Sequence, residues 1–385
     1  MIPYGRQDIT QADIDAVAAV LRSDFITQGP TIPQFEQVVT ARTGAAHGIA
    51  ANSATSALHI ACAALGLGPG DLLWTVPNTF VASANCGRYC GADVDFVDID
   101  PDTWNLSVPA LRDKLAAARR AGRLPNVLVP VHFAGQPTEQ EAIWDLAQEF
   151  GFKILEDASH SIGASRNVEP VGSCRWSHVT VFSFHPVKIV TTAEGGMALT
   201  NDAELAERMR MLRTHGVTRA ASRLTRADPP SWYYEQQLLG FNYRMTDVHA
   251  ALGISQLARL SAHVERRNAL ARRYDATLSG LPLQLPRVLP GNRSAFHLYV
   301  VRLRQADADR HRRVFDALRR AGIGVNLHYY PVHLQPYYRA LGFAEGRCPE
   351  AESYGREAIT LPLYFALREA EQDAVIEALG RTLAD

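Results

Sequence analysis

At 385 residues, 47% of them hydrophobic, the chain carries enough apolar surface to bury a large core, and its length predicts two units of unequal size. Lys and Arg number 39 against 40 Asp and Glu, a formal charge of −1, which gives no polyanion-binding bias and argues against nucleic acid as a partner. Met1 to Asp8 lacks an apolar leader core and no later stretch approaches the roughly 18 apolar residues of a membrane span, so a soluble cytoplasmic protein is expected.

Short β-rich apolar runs recur along the first half of the chain: His47 to Ala51, Leu72 to Val76, Val94 to Ile99, Val127 to Phe133, Lys153 to Asp157, Val179 to Phe184 and Met197 to Thr200. Between them Thr55 to Leu65, Thr79 to Cys90, Val108 to Ala121 and Thr138 to Phe150 have the spacing of amphipathic helices. Strand and helix alternating in this way predict an α/β fold, a mostly parallel sheet covered on both faces. Ligands of such sheets bind at the carboxyl ends of the strands, where Asp157 and the Ser183 to Lys188 segment fall.

Val217 to Tyr234, with several arginines and Pro229-Pro230 but no usable period, reads as a long exposed loop. A helix capped by Thr246 follows, with Val248, Leu252, Leu257 and Leu260 on its apolar side. From about Ala262 the texture changes to a basic helix with Arg266, Arg267, Arg272 and Arg273, a strand at His297 to Leu303, a helix at Asp309 to Ala321, an aromatic loop at His328 to Tyr338 and a closing helix at Glu369 to Leu383. The expected division is a larger cofactor-binding unit over 1–261 and a smaller α+β unit over 262–385. Five scattered cysteines read as reduced thiols, and Pro331 between His328 and His333 keeps any helix from aligning them on a metal, so no metal is expected.

The chemistry concentrates in two segments. Glu156-Asp157-Ala158-Ser159-His160 ends one strand, and Lys188 follows another just ahead of Thr191 to Gly196. A lysine amine and a carboxylate so placed are the pair that a pyridoxal phosphate (PLP) site needs: the amine to bond the cofactor aldehyde and move protons, the acid to hold the pyridinium proton. An unpaired carboxylate on so apolar a strand would be costly, and its bland alternative is an ion pair with an arginine. Asn52 to Leu58 puts small hydroxylated residues between a strand and a helix start, where free amides and the helix dipole attract a phosphate; an ordinary N-cap is the plainer reading. Ser183 adds a second candidate hydroxyl, and Phe80 either stacks on a cofactor or packs in the core.

Taken with Thr27-Gln28-Gly29-Pro30, Arg213-Thr214-His215-Gly216, Gly240 to Met245 and His328 to His333, these segments resemble the DegT/StrS family of nucleotide-sugar aminotransferases, in the family's order from about Tyr4 onward. The resemblance implies a PLP-dependent transferase of fold type I: an αβα large domain around a seven-stranded, mostly parallel sheet, with a smaller C-terminal α+β domain. It implies Lys188 as the Schiff-base lysine, Asp157 as the pyridinium partner, His160 beside the cofactor hydroxyl, and Ala54, Thr55 and Ser183 on the phosphate. Asn242 matches an asparagine that reaches the phosphate of the neighbouring subunit, implying a homodimer with shared active sites. Tyr4, Asp24, Phe25, Ile26, Thr27, His328 and Tyr329 match segments around the sugar; Arg244 joins them or has a structural role.

Within the family the likeness is strongest to members that use glutamate to aminate C4 of a UDP-linked 4-keto-6-deoxy-N-acetylhexosamine in pseudaminic acid type pathways. Asn78 departs from the apolar residue expected near the sugar and leaves other 4-ketosugar nucleotides open. Two rivals stand beside this reading. Dehydratases of the family resemble the chain but carry histidine where Lys188 stands, and a PLP-binding regulatory protein would dispense with turnover.

Overall fold

The computed structural model describes residues 1–304 and 306–384. Seven strands, β1 (His47–Ala51), β2 (Leu72–Thr75), β3 (Asp93–Phe96), β4 (Val127–Val129), β5 (Lys153–Asp157), β6 (Val179–Ser183) and β7 (Gly196–Thr200), form one sheet in the order β1-β7-β6-β5-β4-β2-β3. All neighbours run parallel except β7, which is antiparallel to both β1 and β6. β6 and β7 are buried at every position and β5 at all but its first, because helices cover both faces of the sheet, and the polar residues they carry, such as Glu156 and Thr180, are hydrogen-bonded to one another.

The expected seven strands all form, with altered ends. β4 stops at Val129 because Pro130 has no N–H for the ladder; the chain then turns through a single 3₁₀ turn at Phe133–Gly135. Two helices not marked in the sequence, α1 (Gln11–Leu21) and α2 (Thr31–Thr43), precede β1. They are followed by α3 (Ala54–Ala64), α4 (Ala82–Tyr89), α5 (Val108–Arg120), α6 (Gln140–Phe150) and α7 (Ala203–Arg213). α5 starts on a Ser107 cap whose hydroxyl accepts from Ala110 N–H, and α6 ends on Gly151 at φ 81°.

The 217–234 stretch is less irregular than its composition predicts. Val217–Thr218 pairs with Glu235–Gln236, and the Glu235 carboxylate accepts from the Thr225 and Arg226 amides, so the loop is tied at its base and at its middle. α8 (Asp247–Ala258) begins on the expected Thr246 cap, and α9 (Leu260–Leu278) follows it without a loop.

The smaller C-terminal part is a three-stranded antiparallel sheet of Leu283–Gln284, Tyr299–Leu303 and Ala358–Leu361, packed on α9 and on the helices Ala308–Arg320 and Glu369–Ala384. Its core is separate, built on Tyr274, Tyr299, Leu303, Ile359 and Leu379. Arg267, in the basic helix α9, is buried rather than solvated: its guanidinium donates to the carbonyls of Phe296, His297 and Leu363 at 3.2, 3.2 and 2.9 Å. The first residues also join this part, with Ile2 bridged to Ile323 and Leu363 N–H donating to Tyr4 O at 3.0 Å. The cysteines are free thiols, and among the described residues no cluster of His, Cys, Asp or Glu is arranged for a metal and no helix is long and apolar enough to cross a membrane.

Candidate active site

Asp157 ends β5 at the carboxyl edge of the sheet and is buried. Its Oδ2 accepts from Ser83 Oγ at 2.6 Å and its Oδ1 from Ser159 N–H at 3.1 Å. Since Ser83 spends its proton on the carboxylate, the Thr79 hydroxyl, 2.7 Å away, donates to Ser83. No lysine or arginine lies within ion-pairing distance of Asp157 among the described residues, so the arginine-pair alternative fails. The adjacent Glu156 points to the other face of the sheet, where its carboxylate takes a hydrogen bond from His132 Nε2 at 2.6 Å and from Thr180 Oγ1 at 2.8 Å. Burial alone would raise that acid, but these bonds hold it below the ordinary carboxylate range. Two neighbouring acids thus meet opposite fates: one is fully satisfied in the core, the other waits for a cation.

Lys188 lies in the connection from β6 to β7, in a turn closed by its own N–H to His185 O at 2.9 Å. Burial pushes its amine down to about 8, against the opposing pull of the Asp157 charge. The amine is still mostly protonated at neutral pH, but its neutral fraction, roughly a tenth, far exceeds that of an ordinary lysine and lets it act as nucleophile and as base.

The start of α3 forms the third side. Ser53 caps it, accepting from Ser56 N–H at 3.1 Å, and Ser56 Oγ donates to Asn52 Oδ1 at 2.7 Å. The amides of Ala54 and Thr55 are left free by the helix geometry. Strand β7 runs directly beneath: a Cβ on Gly196 would fall 2.4 Å from Ala54 N, so only glycine lets the strand approach this turn. Ser183, at the end of β6, lines the same space.

The fourth wall is imidazole and phenol. His160 Nδ1 accepts from Ala134 N–H at 3.3 Å, which leaves the proton on Nε2, 3.2 Å from the Tyr329 hydroxyl. His328 Nδ1 pairs with Thr360 Oγ1 at 2.8 Å, and its ring lies 5.2 Å from that of Tyr4. Burial, reinforced by the nearby Lys188 charge, pushes His160 well below its ordinary range and His328 to about 3, so both rings are neutral.

These walls enclose a cavity of about 440 Å³, within the range of ligand pockets. It brings together Tyr4, Ala54, Thr55, Phe80, Asp157, His160, Ser183, Lys188, His328 and Tyr329. Phe80 is 59% exposed, which rules out core packing. A wider concavity of about 840 Å³ beside α5 has its charges paired with one another, Lys114 and Arg347 on Asp95, Arg88 and Arg123 on Asp93.

Six predicted residues lie elsewhere. Asp24, Phe25, Ile26 and Thr27 sit on an exposed loop, Asn242 is exposed, and Arg244 does not line the cavity. The loop of Asp24 to Thr27 is tied to the start of α8, because Thr27 bridges to Thr246 and Asp247 N–H donates to Ile26 O at 3.1 Å. Asn78 does not line the cavity either. It is buried, accepting from Tyr329 N–H at 3.2 Å, and so supports that residue's backbone. Sequence reasoning missed Thr79 and Ser83, whose i, i+4 hydroxyl spacing was a usable signal, and His297, which was hidden at the head of a strand.

A buried lysine of lowered basicity, a buried carboxylate without an ion-pair partner and a glycine-floored helix start around one cavity are the features of a PLP site, and this donor set fits that cofactor. The chain belongs to the DegT/DnrJ/EryC1/StrS aminotransferase family, whose model matches residues 7–380. It is a PLP-dependent sugar aminotransferase of the fold expected. Spore coat polysaccharide biosynthesis protein SpsC of Bacillus subtilis is 37% identical over 98% of this chain and 96% of its own length. Among solved structures, PseC of Helicobacter pylori, described as an aminotransferase involved in the biosynthesis of pseudoaminic acid, superposes with a TM-score of 0.91 at 29% identity, covering 100% of this chain and 99% of its own. A protein of Streptococcus pneumoniae assigned as a sugar aminotransferase, in its PMP form, has the same TM-score and identity, covering 100% of this chain and 99% of its own.

Proposed function

We propose that the protein transfers the amino group of glutamate to C4 of a UDP-linked 4-keto-6-deoxy-N-acetylhexosamine, in a pathway of the pseudaminic acid type, as a cytoplasmic homodimer with shared active sites. The observation that carries the amino-transfer chemistry is Lys188 and Asp157 facing one cavity, the acid with no cation of its own. Bound PLP supplies an aldehyde and a ring that accepts electrons. Asp157 holds the proton on the pyridine nitrogen. Lys188 takes the proton from Cα of the amino donor and returns one at C4 of the sugar. Ala54, Thr55 and Ser183 would bind the phosphate, Phe80 would cover one face of the ring, and His160 would lie beside the ring hydroxyl.

The six residues outside the cavity support the shared site. Asp24 to Thr27 and Asn242 are exposed, Phe25 and Ile26 more than half, and Arg244 is half-buried, which suits Asn242 reaching the partner's phosphate and Asp24 to Thr27 and Arg244 meeting the partner's substrate. Tyr4, His328 and Tyr329 serve the sugar from within the chain. The same reading divides the chain into units of 1–261 and 262–385. A different 4-ketosugar or nucleotide is the alternative, favoured by the likeness to a spore coat polysaccharide protein.

Purified protein loaded with PLP is expected to show near-visible absorbance that glutamate bleaches and a 4-ketosugar nucleotide restores. Absorbance that glutamate leaves untouched, or turnover retained by Lys188→Ala, would remove the mechanism. A panel of UDP- and dTDP-linked 4-ketosugars then decides between the two substrate readings, and sedimentation at micromolar concentration tests the dimer.

A further inference from the structure

His297 has the least explained side chain around the cavity. It lines the wall beside His160, their ring centroids 4.4 Å apart at 41°, and is only 4% exposed. Its Nδ1 is buried without a hydrogen-bond partner. Burial, with the nearby charge of Lys188, keeps the ring neutral. A neutral imidazole has one N–H, and a sealed, partnerless lone pair is less costly than a sealed, partnerless donor. The proton therefore sits on Nε2, on the ring edge left to the cavity.

The backbone around this residue is held by unusual means. Phe296 adopts φ 44° and Ala134 φ 57°, both in the left-handed region where side-chain-bearing residues are rare. The two segments cross backbone on backbone, with Ala295 N–H donating to Gly135 O at 2.9 Å and Leu298 N–H to Ala134 O at 3.2 Å. A Cβ on Gly135 would lie 2.7 Å from Phe296 N and 2.9 Å from His297 N, so the crossing needs glycine. The buried Arg267, which has no carboxylate within ion-pairing distance among the described residues, donates to the Phe296 and His297 carbonyls at 3.2 Å each. Strain and a buried lone cation at one spot mark a position fixed for function more than for stability.

Among the described residues no arginine lines the cavity, and its three deep histidines, His160, His297 and His328, are neutral, so apart from Lys188 the side-chain donors that ligand oxygens meet there are uncharged. His160 Nε2 and the Tyr329 hydroxyl are bonded to each other, while His297 Nε2 remains free to bond a ligand.

We propose that His297 is a further substrate-contacting residue, whose Nε2–H donates a hydrogen bond to a substrate oxygen in the Lys188 cavity. The oxygen is a carboxylate of the amino donor or a hydroxyl or acetamido carbonyl of the sugar. The proposal rests on the amino-transfer reading above. It is tested by binding, with 2-oxoglutarate and UDP-N-acetylglucosamine titrated calorimetrically into the PLP-loaded protein, where neither probe reacts.

His297→Phe keeps a ring against His160 and removes both ring nitrogens. It is expected to weaken one probe at least tenfold, with PLP absorbance and melting temperature unchanged. Loss for 2-oxoglutarate identifies the donor carboxylate; loss for the nucleotide sugar identifies the sugar. His297→Gln, which retains a donor, should bind within about threefold of wild type, and His297→Met, which has none, should not. That pair decides the matter if the Phe variant fails to fold. Wild-type affinity for both probes in His297→Phe, or equal affinities in the Gln and Met variants, would overturn the proposal while leaving amino transfer intact. A wild-type protein that binds neither probe and is not bleached by glutamate would overturn both.

Discussion

Lys188 ties activity and stability together through one proton. Because burial lowers its amine to about 8, the neutral form grows as pH rises through 8, and the rate at which the cofactor-free protein takes up PLP should rise over the same interval. The same shift weakens the cofactor-free fold. The unfolded chain keeps its lysine proton up to about 10.4, so between 8 and that value the unfolded state binds more protons and stability rises with pH. Lys188→Met should thus lower turnover by a factor of roughly 10²–10⁴ or more, and stabilise the cofactor-free protein at pH 7 by on the order of 1–3 kcal/mol, read as a higher urea midpoint. An unchanged midpoint would mean that the amine is more hydrated than its surroundings imply. Asp157→Asn keeps the size of the side chain and removes its charge, so PLP should still bond to Lys188 but turnover should fall by about 10²-fold or more. Single-turnover absorbance with glutamate measures both.

At the scale of elements, the start of α8 fixes the loop that carries Asp24 to Thr27. Asp247 is fully buried there and accepts from the Gly29 and Thr31 amides at 2.8 Å each. A Cβ on Gly29 would fall 2.4 Å from the Phe25 Cβ, so glycine and aspartate together set the course of the loop. Asp247→Ala orphans two amides and should destabilise the protein by about 2–4 kcal/mol, read as a lower urea midpoint. If the loop meets the sugar nucleotide, KM for that substrate rises while the glutamate half-reaction keeps its rate; equal losses in both would assign Asp247 to stability alone.

These contacts also mark what a sequence can disclose. β6 was legible because Val179 to Ser183 is rich in β-branched and aromatic residues, and α8 because Thr246 caps it. α1 was not, since it buries Asp13 alone and its support comes from α8, more than 200 positions away, as in Ser255 Oγ to Asp13 Oδ1 at 2.6 Å, whereas α2, with Ile32, Phe35 and Val39 buried at helical spacing, carried a usable signal. Lys188, Asp157 and the α3 start were legible because their residue types match their chemistry. His297 was not, because its meaning lies in a crossing with Gly135 that no local pattern announces.

For the molecule as a whole, burial of neutral imidazole makes acid the main threat. Burial holds His178 at about 4 and His328 at about 3, while the unfolded chain protonates near 6.5. Their contribution is complete above that value and drains as pH falls toward 4 and 3, at roughly 1.4 kcal/mol per pH unit for each group. His160 and His297 are lowered in the same direction. Denaturant midpoints between pH 7 and 5 should therefore fall steeply, and His178→Gln should flatten the slope by about one proton's worth; a flat profile would contradict the buried neutral histidines. The antiparallel β7 has a different consequence. β1 pairs only with it, His47 opposite Thr200 and Ala51 opposite Gly196, and the same strand floors the start of α3. During synthesis β1 must therefore wait roughly seven to thirty seconds for its partner to emerge from the ribosome. Until then the nascent chain has a sticky edge and no seat for the vitamin, so chaperone demand should peak before residue 200, and fragments ending short of it should aggregate instead of binding PLP.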